Sequence, residues 1–128
     1  MTRILVAEDE KDIRELIAFT LRFAGFDVLM ATNGAEAVEV AKAEKPDLVI
    51  LDVRMPKMSG YEACRQLKEN PQTASLPVVF LSAKGQDSEI QQGLASGAEE
   101  YILKPFAPDE LIQQVRDILN RSGRGKPA

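Results

Sequence analysis

Histidine is absent from this 128-residue chain, and cysteine occurs once, at Cys64. The usual zinc ligands are therefore missing, and a single cysteine excludes an intramolecular disulfide. No apolar stretch approaches the roughly 20 residues that a membrane span needs, and Met1-Thr2-Arg3 leads into a strand-like run with no signal-peptide pattern. A cytoplasmic chain with no membrane partner is the expectation. Charge of one sign is lacking too: 16 basic residues against 20 acidic leave a net charge of −4. That balance argues against a nonspecific nucleic-acid surface, and no direct nucleic-acid contact is expected. The composition, 45% hydrophobic and 28% charged, is that of a globular domain, and the length suits one core. The expected division is a folded unit over 1–120, then a flexible basic tail or linker stub over 121–128, a segment with two glycines and no apolar face.

What is present is an alternation. Short apolar runs over 3–7, 27–31, 48–51, 78–81 and 100–103 are separated by longer segments of helical period, the pattern of βαβ units and a parallel sheet. The first, third and fourth runs are continuously apolar, as strands covered on both faces should be. Between the first two, Ile13, Leu16, Ile17, Leu21 and Ala24 recur at helical spacing, and Gly25 supplies a stop. Asn33 with Glu36, and Ser59 with Glu62, place a cap residue three before a glutamate; the second pair fits a capping box outright. A last helix starts near Pro108, with Asp109 and Glu110 where the macrodipole favours acids, and runs through Leu111, Val115, Ile118 and Leu119. Cys64, beside Tyr61 and Leu67 on the third helix, reads as a half-buried small hydrophobe.

The polar residues that end these runs carry the chemistry. Glu8 and Asp9 follow the first run, Asp52 the third, Ser82 the fourth and Lys104 the fifth. In a flavodoxin-like sheet of order 2-1-3-4-5, ligands sit beyond the carboxyl ends of the strands where the order reverses, between the first and third. Glu8, Asp9 and Asp52 converge there. Three crowded carboxylates call for raised pKa values or a hard divalent cation, and Mg²⁺, which keeps waters and accepts a phosphate oxygen, is the natural occupant, with Mn²⁺ as a substitute. A carboxylate can attack phosphorus to give an acyl phosphate. Asp52 would attack, Mg²⁺ would bridge the carboxylates and one phosphoryl oxygen, Lys104 would pair with a second, and the Ser82 hydroxyl would donate to a third.

Four blocks in this order, 6–10, 47–60, 81–84 and 101–106, make the chain resemble the receiver domains of two-component response regulators, CheY-like in fold, from Arg3 to about Asn120. The resemblance implies a three-layer sandwich with five parallel strands and five helices. It also implies that Asp52 accepts a phosphoryl group from a sensor histidine kinase or phosphotransfer protein, and that the main-chain carbonyl of Arg54 joins Glu8, Asp9 and Asp52 at the metal. Glu8, in place of the commoner aspartate, would reach the metal through water. Ser82 and Tyr101 would form the switch, with Tyr101 turning from solvent as phosphate draws Ser82 inward. Lys104-Pro105 would be a cis peptide that aims the lysine into the crevice. The surface of the fourth helix, fifth strand and fifth helix would then signal to a downstream protein or a missing output domain, or pair as a homodimer, and the kinase would read largely the first helix and the loop after the fifth strand. Arg54 and Lys84, each two residues past a site residue, are candidates for tuning acyl-phosphate lifetime.

Each residue alone has a plainer reading. Asp52 could be a helix cap or surface acid, Glu8-Asp9 could cap the first helix, Lys104 could be solvated, and Tyr101 could simply pack. A phosphatase of the haloacid-dehalogenase type would want a second aspartate where Arg54 stands, so enzymatic turnover of a separate substrate is not expected. A flavin or nucleotide site would want glycines and hydroxyls where Glu8-Asp9-Glu10 stands. The remaining alternative is a receiver-like contact module that is not phosphorylated.

Overall fold

The computed structural model describes residues 2–83, 100–104 and 106–121, and of residues 82, 83, 100, 103 and 104 it describes the backbone alone. Five strands, β1 (Arg3–Ala7), β2 (Asp27–Ala31), β3 (Leu48–Asp52), β4 (Val78–Ala83) and β5 (Glu100–Lys104), form one parallel sheet in the order β2-β1-β3-β4-β5. The expected flavodoxin-like order is thus the observed one. The helices α1 (Lys11–Phe23), α2 (Gly34–Glu44), α3 (Gly60–Glu69) and the C-terminal helix (Pro108–Arg121) follow β1, β2, β3 and β5. The expected helix between β4 and β5, Lys84, Pro105 with its expected cis bond, and the tail from 122 onward lie outside the described residues.

Alternation along the inner strands builds the two halves of the core. Leu5, Ala7, Val49, Leu51, Val78 and Phe80 face α2 and α3, packing on Ala37, Ala41, Ala63 and Leu67. Their neighbours Ile4, Val6, Leu48, Ile50, Val79 and Leu81 face α1 and the C-terminal helix, packing on Ile17, Leu21, Leu111, Val115 and Ile118. A strand buried on both faces needs no polar alternation, which is why these runs are continuously apolar.

Local signals set the helix ends. After Phe23 the chain closes a Schellman motif: Phe26 N–H reaches the Leu21 carbonyl at 3.1 Å and Gly25 N–H the Arg22 carbonyl at 3.0 Å, with Gly25 at φ 98°. Asn33 Oδ1 accepts from Glu36 N–H at 2.8 Å, and Ser59 Oγ from Glu62 N–H at 3.2 Å. The glutamates depart from the expected box. Glu36 reaches back past the cap to Thr32, and Glu62 pairs with Arg65 and accepts from Gln66. Thr32 stands just before the Asn33 cap, and Arg65 and Gln66 lie three and four residues beyond Glu62, within the reach of side chains on one helix face.

Other expectations shift slightly. Strands β3, β4 and β5 run one or two residues past the apolar stretches because their polar ends stay in the ladder, with Asp52 opposite Leu81, Ser82 opposite Leu103 and Ala83 opposite Lys104. The last helix takes in Arg121. Leu16, counted on the inner face of α1, is 51% exposed, while Ala18 and Thr20 are buried in its stead. Cys64 is fully buried rather than half-buried.

Candidate functional site

Register places the acids. Ala7 lies opposite Leu51, so the residues that follow, Glu8 and Asp52, leave neighbouring strands side by side. Carboxylate oxygens of Glu8, Asp9 and Asp52 all lie within 4.8 Å of one another. Glu8 is 0% exposed and Asp52 5%, while Asp9 is open to solvent. Two ionised carboxylates at such a distance repel by about 3 to 4 kcal/mol at an effective dielectric constant near 20. Three hard oxygen donors in a mouth open on one side fit a small divalent cation that keeps part of its water shell, and suit magnesium or manganese better than a soft metal.

The loops around the acids are held by the main chain. Glu8 N–H donates to the Ala31 carbonyl at 3.1 Å, and Val53 N–H to the Leu81 carbonyl at 3.1 Å, so both acids stay tied to adjoining strands. A Glu8 carboxylate oxygen accepts from Glu10 N–H at 3.3 Å, and Glu10 is the N-cap of α1 without a side-chain cap bond of its own. Glu8 thereby supports the start of α1 as well as lining the crevice. Beyond Asp52, Met58 N–H donates to the Pro56 carbonyl at 2.7 Å across Lys57, whose φ is 68°, the geometry of a tight three-residue turn. The Met58 carbonyl then accepts from Gly34 N–H at 3.1 Å, and Gly60 N–H donates to the Val53 carbonyl at 3.1 Å. Both glycines are sterically required: a Cβ on Gly34 would lie 2.2 Å from the Met58 carbonyl oxygen, and one on Gly60 2.3 Å from that of Asp52. The loop that carries Asp52 is thus pressed between the first turns of α2 and α3.

Other predicted site residues are placed less completely. Ser82 and Lys104 occupy the carboxyl ends of β4 and β5, at the same end of the sheet as Asp52; their side chains lie outside the described residues. Arg54 is exposed, two positions past Asp52. Tyr101 is half-buried, its ring 5.4 Å from that of Phe80 and its hydroxyl 3.3 Å from that of Tyr61. Tyr61 in turn meets the Phe80 ring edge-on at 5.1 Å.

Two participants were given no role at the site by the sequence reading. Tyr61 bridges α3 to Tyr101, a pairing no local pattern announces. Arg14 donates from Nη1 to the main-chain carbonyls of Glu8, at 2.8 Å, and Asp9, at 3.4 Å. A cation near a helix N-terminus works against the macrodipole, and that was the available signal.

Fold and site together define a doubly wound α/β domain with an acidic crevice at its topological switch point. Residues 4–116 match the response regulator receiver domain family, and the chain belongs to that family. It is 43% identical over 122 residues to the phosphate regulon transcriptional regulatory protein PhoB of Pseudomonas aeruginosa, covering 95% of this chain and 53% of that protein. To the alkaline phosphatase synthesis transcriptional regulatory protein PhoP of Bacillus subtilis it is 41% identical over 126 residues, covering 98% and 52%. The chain therefore spans about half the length of these curated relatives. Among solved structures, the chemotaxis protein CheY4 of Vibrio cholerae superposes with a TM-score of 0.88 at 32% identity, over 93% of this chain and 99% of that one. Among the described residues no helix is long and apolar enough to cross a membrane.

Proposed function

We propose that this receiver domain is a phosphoacceptor in which Asp52 takes a phosphoryl group from a phosphohistidine on a sensor kinase or phosphotransfer protein. The observation that carries the reading is the convergence of buried Asp52 with Glu8 and Asp9 in one crevice. A carboxylate oxygen of Asp52 attacks phosphorus, an O–P bond forms, the N–P bond to the donor imidazole breaks, and that nitrogen keeps the electron pair. Held by Glu8, Asp9, Asp52 and the Arg54 carbonyl, Mg²⁺ (or Mn²⁺) would neutralise charge on the transferring group. Lys104 and the Ser82 hydroxyl serve the remaining phosphoryl oxygens, and the side chains of Arg54 and Lys84 tune how long the acyl phosphate survives.

The output is a shift between two packings, and phosphorylation acts by favouring one of them. Tyr101 is the reporter: in the packing seen here its hydroxyl meets Tyr61, and a phosphoryl group that draws Ser82 inward would change the space beside its ring. The altered surface, β5 with its flanking helices, engages a downstream protein, an output domain in a longer chain, or a second copy. Relatives about twice as long and named as transcriptional regulators favour an output domain; nucleic-acid contact would then belong to that domain. The setting proposed is the cytoplasm.

Intact mass after incubation with acetyl phosphate tests the reading. One phosphoryl adduct is expected on the parent with Mg²⁺, and none without metal or on Asp52→Asn. Absence of any adduct under rapid quenching would leave a contact module that is not phosphorylated.

A further inference from the structure

Holding three carboxylates within 4.8 Å of one another requires something to resist their separation when no cation lies between them. The two peptide units that follow Glu8 and Asp9 decide where these side chains point, and both carbonyls accept from the same nitrogen of Arg14, at 2.8 and 3.4 Å. Arg14 is anchored in turn: Arg14 N–H donates to the Glu10 carbonyl at 2.9 Å, and Ile17 and Leu21, on the same helix, are fully buried against the sheet. The placement of Arg14 at the N-terminal end of α1 is electrostatically unfavourable for the helix.

We propose that Arg14 is a positioning residue for the metal site, a clamp on the Glu8 and Asp9 carbonyls that presets their carboxylates for a divalent cation. The inference rests on the metal-binding part of the proposed function. It makes a prediction whose sign separates it from simple electrostatics. A cation beside a cation site should weaken metal binding, so on charge alone Arg14→Ala would bind Mn²⁺ more tightly and Arg14→Lys would match the parent. A clamp predicts the opposite, because alanine loses both hydrogen bonds and lysine, whose four-carbon stem ends a bond short of the Nη1 that donates them, recovers them poorly.

Titration with Mn²⁺, following the free ion by electron paramagnetic resonance, decides between them, alongside urea unfolding of each metal-free protein. Expected is a loss of about tenfold in Mn²⁺ affinity for Arg14→Ala, the usual scale for removing a group that orients a metal ligand. A smaller loss in the same direction is expected for Arg14→Lys. Equal or tighter binding by folded Arg14→Ala overturns the clamp while leaving the metal site intact. Should the alanine variant fail to fold, Arg14→Lys decides alone: weaker binding supports the clamp and parental binding overturns it. No Mn²⁺ binding by the parent would bring down the metal reading, and the inference with it.

Discussion

Glu36 shows how a single side chain links local structure to pH. The Thr32 N–H and hydroxyl donate to its carboxylate at 2.5 and 2.9 Å, and chiefly these bonds hold its pKa below the ordinary 4.5. A carboxylate depressed in the folded state adds stability that is fully present above its unfolded pKa and is lost as pH falls through the folded one. Replacing it by Glu36→Gln should therefore lower urea stability most at neutral pH, and the gap to the parent should close as pH drops below about 4.5. The group is exposed, so the gap should also narrow in high salt. A pH-independent gap would contradict the assignment. Asn33 was legible because its capping partner lies three residues on, and Asp52 because the apolar run before it marks the strand whose end it occupies. Arg14 and Tyr61 were not, since what they do depends on where the chain returns: Tyr61 on β5, 40 residues on, and Arg14 on carbonyls whose direction no residue type encodes.

Elements were the most readable level. Continuous apolar runs gave the inner strands, and Gly25, Asn33, Ser59 and Pro108 marked helix boundaries that the hydrogen bonds and helix bounds reproduce. Periodicity failed at Leu16 because it counts apolar positions on a helix without knowing which stripe meets the sheet. The loop from Asp52 to Gly60 was legible as a motif but not as a steric fit. That fit predicts that Gly60→Ala, whose Cβ would stand 2.3 Å from the Asp52 carbonyl oxygen, destabilises the fold by about 2 to 4 kcal/mol in urea and slows labelling by acetyl phosphate. The backbone there cannot yield without moving Asp52. Parental stability and labelling in that variant would show the loop to be slack.

At the scale of the molecule, the two faces of the sheet are covered, yet Leu16, Phe19 and Phe23 remain exposed on α1, at 51%, 69% and 81%. Spaced three and four apart, they share one side of the helix. An apolar stripe left open on this helix suits a protein partner, and a kinase that reads the first helix together with the loop after β5, as the family resemblance implies, would meet it. Phe19→Glu should leave acetyl phosphate labelling at the parental rate and urea stability within about 0.5 kcal/mol, while slowing phosphotransfer from a phosphorylated histidine kinase domain by about tenfold. Unchanged transfer would remove α1 from the docking surface.

The central claim, that Asp52 carries the phosphoryl group, is tested most directly by chemical trapping. Borohydride reduces an acyl phosphate to the alcohol, converting the labelled aspartate to homoserine. After acetyl phosphate and Mg²⁺, peptide fragmentation that separates Asp52 from Asp47 should find homoserine at position 52 alone. Homoserine at Asp9, at Asp47 or at any other aspartate would contradict the account.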